Sequence, residues 1–485
     1  MNRKLLRNTT AYMIAGMLPF AVNFFMLPVY TRYMEPADYG ILSVMTTVSS
    51  LLTGVVGFQM GSSFTRLYFD FEPAERPRLF SSVVFALLGL NVLLLLPMHL
   101  AGPAVTRAIF PVADFTYNPY VLLVLITVFF GSLSVAGASM LRVQEKGRTM
   151  MRISIITTLA GVVFGVYFVV IRKMGAHGAL LAGTFSAGLN AIYLCLANRA
   201  LFTFAFDLSI IKQSLAYSLP IIPHTLGAAV FMYADKYILT YFATLAAIGL
   251  YGVADKISMI LNVMVNAFKD AYIPNFMKQA KEDRAHAVAS CREVMLIWTV
   301  MTSLAFLGIS LFSREVLIIL TPEKYHDAWI YIPILSGAYI FKGLYGFAVM
   351  TILYEKKTIL IPLCTFAGGI FNVVFNILLI PIWGVVAAAW TTIGAHALTW
   401  IVAIGFSRRY FPLSYQWGRM TLLISLAVGI YFLLDAWAPP SLWLGLAVKG
   451  AGFLAAALVF LRIGRLTPAT LVQTVRTLLA RPESA

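Results

Sequence analysis

Charged side chains are scarce in this sequence. Lys, Arg, Asp and Glu make up 12% of its 485 residues, about half the usual share of a water-soluble domain. Together with the 60% of residues that are hydrophobic, that shortage excludes a soluble globular fold and a disordered or fibrous chain as well. Acids are scarcer than bases, 20 against 36, which leaves a formal net charge of +16. In a membrane protein such a surplus of Lys and Arg orients the chain through its cytoplasmic loops, and no nucleic-acid partner is needed to explain it. Cysteine is nearly missing. Cys195, Cys291 and Cys364 fall inside or at the ends of apolar segments. With no CxxC spacing and no Cys/His cluster among them, neither a disulfide frame nor a metal site is suggested.

What is present is apolar. Sixty per cent of the residues are hydrophobic and 14% aromatic, with a mean hydropathy of +0.85. At about 20 residues per bilayer-crossing helix this fills about fourteen spans. Suitable segments fall near 9–31, 40–63, 79–101, 119–141, 150–171, 175–197, 214–242, 245–268, 292–312, 328–353, 358–380, 384–406, 419–437 and 441–461. The expected fold is therefore an all-α polytopic membrane bundle. An even number of spans puts both termini on one side. Of the 36 basic residues, 26 lie in segments on that side, 6 lie opposite and 4 lie within spans, which predicts cytoplasmic termini. The basic start from Met1 to Arg7 leads into an apolar run without a small-x-small cleavage signal, and reads as a retained first span. The longest connection, about 269–291, reads as a short basic amphipathic helix. The longest outside loops, about 102–118 and 313–327, are too short for a soluble domain.

Two segment pairs look duplicated. Tyr33-x3-Ala37-x2-Gly40 matches Phe242-x3-Ala246-x2-Gly249 at an offset of 209, and GALLAGTFSAG from Gly178 matches GVVAAAWTTIG from Gly384 at an offset of 206. A shift of six spans keeps both copies in one orientation. It predicts two parallel six-helix lobes, 1–200 and 201–410, around a central cavity, followed by two accessory spans and a tail in 411–485.

An ionisable side chain within a span is expensive and by default a functional candidate. Ala234-Asp235-Lys236 in span seven recurs as Ala254-Asp255-Lys256 in span eight. Each triplet lies ten residues from an outside turn near Leu245, about 15 Å deep at 1.5 Å per residue. Two readings stay open. The triplets can form neutralising salt bridges across the hairpin, or a lysine can face a water-filled cavity and attract an anion while a carboxylate exchanges a proton or sodium ion. Lys342, mid-way along span ten without a local carboxylate, fits a cavity position, whereas Lys449 fits a snorkelling one. Arg66, just beyond span two, is either a topological anchor or a phosphate fork. His224 and His396 can titrate near neutral pH or serve as hydrogen-bonded packing residues. Asn262 with Asn266 and Asn372 with Asn376 share helix faces and suit interhelical hydrogen bonds. Glu35 and Asp38 around Pro36 fit a capped turn better than an acidic catalytic pair. With no phosphate-cradling glycine loop and no nucleophile beside a base, transport is a better class than catalysis.

These residues resemble the polysaccharide-flippase branch, the Wzx-type O-antigen and exopolysaccharide translocases, of the multidrug/oligosaccharidyl-lipid/polysaccharide exporter superfamily. The resemblance rests on LPVYTRYMEPADYGILSV from Leu27, the Arg66 segment, and YADKYILTYFATLAAIGLYGVADKI from Tyr233. It also rests on LYEKKTILIP followed by GGIFNVVFNILLIPIWGVVAAAW. It implies a fourteen-helix, two-lobed bundle, cationic at its centre in many members. Such a bundle moves an undecaprenyl-pyrophosphate-linked oligosaccharide from the cytoplasmic to the periplasmic leaflet of the bacterial inner membrane, for lipopolysaccharide or exopolysaccharide synthesis. On that pattern Arg66, Lys236, Lys256 and Lys342 are the expected substrate cations, although Lys342 rests on span placement alone. Asp235, Asp255 and His224 are candidates for coupling to a proton or sodium ion, or for salt bridges. No cofactor or metal is implied. The expected partners are membrane lipids, the lipid-linked oligosaccharide, a glycosyltransferase that builds it and a polymerase that consumes it. A lipid II flippase or a cation-coupled multidrug exporter would share the fold. A polysaccharide polymerase is disfavoured by the short outside loops.

Overall fold

The computed structural model describes residues 3–111, 115–437, 439 and 441–466. Fourteen helices are long and apolar enough to cross a membrane, and no strand occurs among the described residues. They are α1 Thr10–Tyr33, α2 Pro36–Val56, α3 Arg76–Leu100, α4 Tyr117–Val143, α5 Gly147–Ile171, α6 Gly175–Ala197 and α7 Leu208–Phe242. Then follow α8 Leu245–Glu282, α9 Arg284–Leu311, α10 Glu323–Tyr354, α11 Leu360–Trp383, α12 Val385–Tyr410, α13 Trp417–Trp437 and α14 Trp443–Ile463. The spans fall where the apolar runs place them, because a bilayer selects length and hydropathy before any packing.

Three boundaries depart from expectation. Helix α2 stops at Val56 rather than near 63. Phe58 (φ 45) and Gln59 (φ 51) turn left-handed, and a separate short helix, Met60–Leu67, restarts the chain. Hydropathy misses this turn because Phe58, Met60 and Phe64 continue the apolar run. At the other extreme, α8 passes through Pro274 to Glu282 as one helix of 38 residues, about 57 Å long at 1.5 Å per residue. The separate amphipathic helix expected over 269–291 does not exist. Tyr272, Phe276 and Ala280 stay buried beside Cys291, Met295 and Phe411, so the helix keeps a packed face beyond the depth of a bilayer. Asp283 then ends it and caps α9, accepting from the backbone N–H of Ala285 at 2.8 Å and of His286 at 3.1 Å. Finally, the connections near 102–118 and 313–327 carry short helices of their own, Gly102–Ile109 and Ser313–Leu320.

The chain divides into compact units of 1–249 and 250–485. Within the first, α4 and α5 pack on α6, α3 packs on α4, α1 on α5 and α7 on α2. Within the second, α10 and α11 pack on α12, α9 packs on α10, and α13 and α14 dock on α9. Three of these pairs recur after a shift of six helices, which is the packing signature of a parallel repeat.

The duplicated glycines meet inside the first unit. A Cβ on Gly40 would collide with the carbonyl oxygen of Leu245, and one on Gly249 with that of Pro36. Leu245 and Gly249 stand 209 residues after Pro36 and Gly40. The two copies of the motif therefore contact each other reciprocally, as across a two-fold axis, and only glycine lets the backbones approach so closely. The Glu35–Asp38 turn is a capping box with Pro36 in its first turn. Asp38 also accepts from the backbone N–H of Ala176 at 3.3 Å, so its work is structural.

Lys449 does not snorkel. Its Nζ lies 2.7 Å from Glu315 Oε1, with the two side chains only 2% and 8% exposed. Arg314 reaches Asp435 at 3.8 Å. The helix Ser313–Leu320 thus holds both accessory spans by ion pairs. Sequence distance hid this, because Lys449 and Glu315 are 134 residues apart.

Candidate functional site

The second unit holds a lysine at mid-span. Lys342 is eleven residues into the α-helical run Tyr331–Tyr354 of α10, and its Nζ donates to Asn262 Oδ1 of α8 at 2.8 Å. The Asn266 side chain donates to the same oxygen at 3.3 Å. The Lys342 ammonium also stands 5.8 Å from the ring of Tyr339, one turn away, and that ring lies 6.5 Å from the ring of His396 on α12. Asp255 and Lys269 of α8 are near enough for their charges to act on Lys342. An ammonium has three donors. Asn262 takes one, so the others can serve an anionic oxygen. The Asn262–Asn266 pair makes the interhelical hydrogen bond expected of it, and its partner on α10 is this cation. Asn376 behaves as expected, accepting from Thr391 across α11 and α12.

The first unit holds a cavity lined by polar and apolar side chains together. A cavity of about 590 Å³ lies among α1, α4, α5 and α6, walled by the hydroxyls of Ser134, Ser154, Thr157 and Ser186 and by the amide of Asn190. It extends along α4 from Arg142 to Gly131, about 16 Å at 1.5 Å per residue. Local hydrogen bonds hold the wall. Asn190 donates to Ser134 at 3.2 Å, and Ser186 to the carbonyl of Thr157 at 2.9 Å. Arg142 also lines a neighbouring cavity of about 530 Å³ beside Thr53, Gln59 and Thr65. It is exposed and donates to Ser139 at 2.9 Å. Sequence reading counted Arg142 only as a topological charge. The available signal was the helical spacing of Gly131, Ser134, Val135, Ala138 and Arg142 along one face of α4.

The remaining candidates lie elsewhere. Asp235 is buried on α7, and its Oδ1 accepts the backbone N–H of Lys236 at 2.7 Å. Lys236 is half-buried, as are Asp255 and Lys256 on α8. His224 on α7 is half-buried, with a buried Nδ1 that makes no hydrogen bond among the described residues. Arg66 sits on the short helix Met60–Leu67, exposed, with Nη1 2.6 Å from both oxygens of Asp70. That pairing holds its guanidinium above the usual arginine range. No group of three or more metal-ligating side chains occurs among the described residues.

A family model described as "Polysaccharide biosynthesis protein" matches residues 5–279, more than half of the chain. The chain belongs to this family. Among curated proteins it is 26% identical over 234 residues to an uncharacterized membrane protein of Methanocaldococcus jannaschii, covering 47% of this chain and 45% of that protein. It is 22% identical over 251 residues to a probable low-salt glycan biosynthesis flippase of Haloferax volcanii, covering 48% and 53% respectively. The chain spans about half the length of the curated relatives it matches. Among solved structures, a lipid II flippase in an inward closed conformation superposes with a TM-score of 0.76 at 13% identity, over 93% of this chain and 98% of that one. An inward-facing multidrug resistance transporter of the MOP superfamily gives 0.62 at 14% identity, over 86% and 99%. At such identities the likeness is one of fold. The chain is therefore a multi-pass membrane protein that shares the fold of these two transporters.

Proposed function

We propose that this protein flips an undecaprenyl-pyrophosphate-linked oligosaccharide repeat unit from the cytoplasmic to the periplasmic leaflet by alternating access, and that it transports rather than catalyses. The observation that carries the reading is the family match over residues 5–279, joined to a fold shared with a flippase. The site chemistry supports it. A diphosphate crossing hydrocarbon needs cations in place of water. Lys342, held by a neutral amide and not by a carboxylate, keeps donors for a phosphate. The hydroxyl and amide wall beside Arg142 suits a glycan, which is recognised through many weak hydrogen bonds. Lys236, Lys256 and Arg66 stand as further phosphate contacts. Asp235, Asp255 and His224 stand as coupling groups or salt-bridge partners. In this reading both termini are cytoplasmic, and a glycosyltransferase and a polymerase act before and after the flip.

The test is depletion of the protein, followed by extraction of lipid-linked oligosaccharide and labelling with a membrane-impermeant glycan probe. Complete repeat units accumulating on the cytoplasmic leaflet support the proposal. Normal export combined with new sensitivity to cationic drugs would move the function to a drug exporter. The fold shared with a lipid II flippase favours one second reading, peptidoglycan-precursor transport. Lysis of depleted cells with accumulated precursor, in place of viable cells lacking surface polysaccharide, would favour it.

A further inference from the structure

A cavity of about 750 Å³ opens within the second unit, where α9, the start of α13 and the end of α14 converge. Three arginines line it, one from each helical region: Arg292 on α9, Arg419 on α13 and Arg465 after α14. Its one acid is Glu293, so the lining carries a net charge of two positive. Arg292 and Arg465 make no ion pair or hydrogen bond through their side chains among the described residues, and Arg419 donates only to Gln416 Oε1, at 3.0 Å. Among the described residues no carboxylate pairs with any of these three arginines. Nearby arginines are used quite differently, since Arg284 is taken up by Glu355 at 3.0 Å and by the carbonyl of Tyr410 at 2.6 Å.

Two features of the surroundings name the ligand class. The first is the N-terminus of α13, where Gln416 lines the cavity ahead of the first helical turn, so the positive end of a 21-residue helix dipole lies at the same place. The second is depth. Trp417 stacks on Tyr415 with ring centroids 4.8 Å apart, and the Arg408 guanidinium lies 5.5 Å from the Trp417 ring. Such an aromatic and basic girdle belongs at the headgroup level of a bilayer. Leu296, Ile297 and Leu466 give the cavity an apolar side. A soluble anion has no use for one, whereas the first methylenes of a phospholipid's acyl chains do.

We infer that this cavity binds the phosphate headgroup of an anionic membrane phospholipid, of the phosphatidylglycerol class, and thereby ties the accessory helices α13 and α14 to α9. Basic pockets between membrane helices are suited to such headgroups, and three forks on one phosphate give directional, charge-assisted hydrogen bonds. The site is separate from the residues assigned to the transported lipid and does not depend on that assignment.

The experiment uses the purified full-length chain in neutral detergent, titrated with phosphatidylglycerol, phosphatidylcholine or inorganic phosphate. Bound lipid is read by native mass spectrometry, and stability by Tm. Phosphatidylglycerol is expected to bind and raise Tm, with affinity falling about fivefold for each of R292Q, R419Q and R465Q. The exposed Arg172 lies outside the cavity, and R172Q is expected to keep wild-type affinity. Should any of these arginine variants fail to fold, A289E places a carboxylate on the cavity wall and is expected to weaken binding in the same direction. Equal stabilisation by inorganic phosphate would overturn the lipid assignment. Wild-type binding by the arginine variants, or an equal loss in R172Q, would overturn the pocket.

Discussion

Two of the second unit's lysines, Lys449 and Lys342, are held in opposite ways. Lys449, at the accessory end, is closed off from solvent and paired with Glu315 at 2.7 Å. Lys342, among α8, α10 and α12, is half-buried and hydrogen-bonded to a neutral amide at 2.8 Å. Both are cations placed where hydrocarbon should exclude them. The difference lies in the partner. A carboxylate cancels the charge and leaves a structural tie, while an amide orients the ammonium and leaves the charge for something else to neutralise. The first unit supplies a third case in Arg142, which sits at a cavity wall with a serine hydroxyl as its partner.

The comparison can be broken most forcefully at Lys449. K449M leaves Glu315 buried without its cation and is expected to lower stability by about 3–5 kcal/mol, with flipping per folded molecule retained. Replacing both partners, as E315L/K449M, is expected to restore most of the loss. An unchanged Tm for K449M in detergent would show that the pair carries no structural load. The reverse pattern is expected for K342M, with transport reduced at least about tenfold, or about 1.4 kcal/mol, and Tm no lower than wild type. Full transport by K342M at normal folded levels would remove Lys342 from the site. N262D sharpens the contrast by giving Lys342 a carboxylate of the kind Lys449 has. Stability is expected to hold or rise while transport falls about threefold to tenfold, as the new charge competes with the phosphate; leaflet labelling with the impermeant probe reads this directly. The smallest effect is expected at Arg142, where exposure and salt screening weaken the interaction. R142Q should slow export about twofold to fivefold, and raised ionic strength should shrink the gap between variant and wild type.

The apolar runs were legible because crossing a bilayer is a one-dimensional demand. The spans appear where hydropathy places them, with most ends displaced by a few residues and larger departures at Phe58–Gln59, at the end of the long α8 and at the starts of α7 and α9. The repeat was legible through Gly40 and Gly249, since a backbone contact tolerates no side chain and so leaves a mark in the sequence. Lys342 could be found for the same reason as any intramembrane charge, but its tie to Asn262 could not, with 80 residues between them. Arg142 was overlooked because an arginine at a helix end looks alike whether it faces headgroups or a cavity. Lys449 was misjudged because its distance from the end of its helix fitted snorkelling, and nothing local points to Glu315.

By itself, then, the sequence determined a membrane-spanning helical protein, the number and order of its spans, and an internal repeat. Those properties follow from local length, hydropathy and glycine placement, which act before helices meet. Only the tertiary structure decided which buried charges are cancelled, which are left to meet an anion, and where small hydroxyl side chains enclose a hollow. Each of those outcomes depends on residues far apart in the chain arriving within a few ångströms, in a medium where an unmatched charge is too costly to leave to chance.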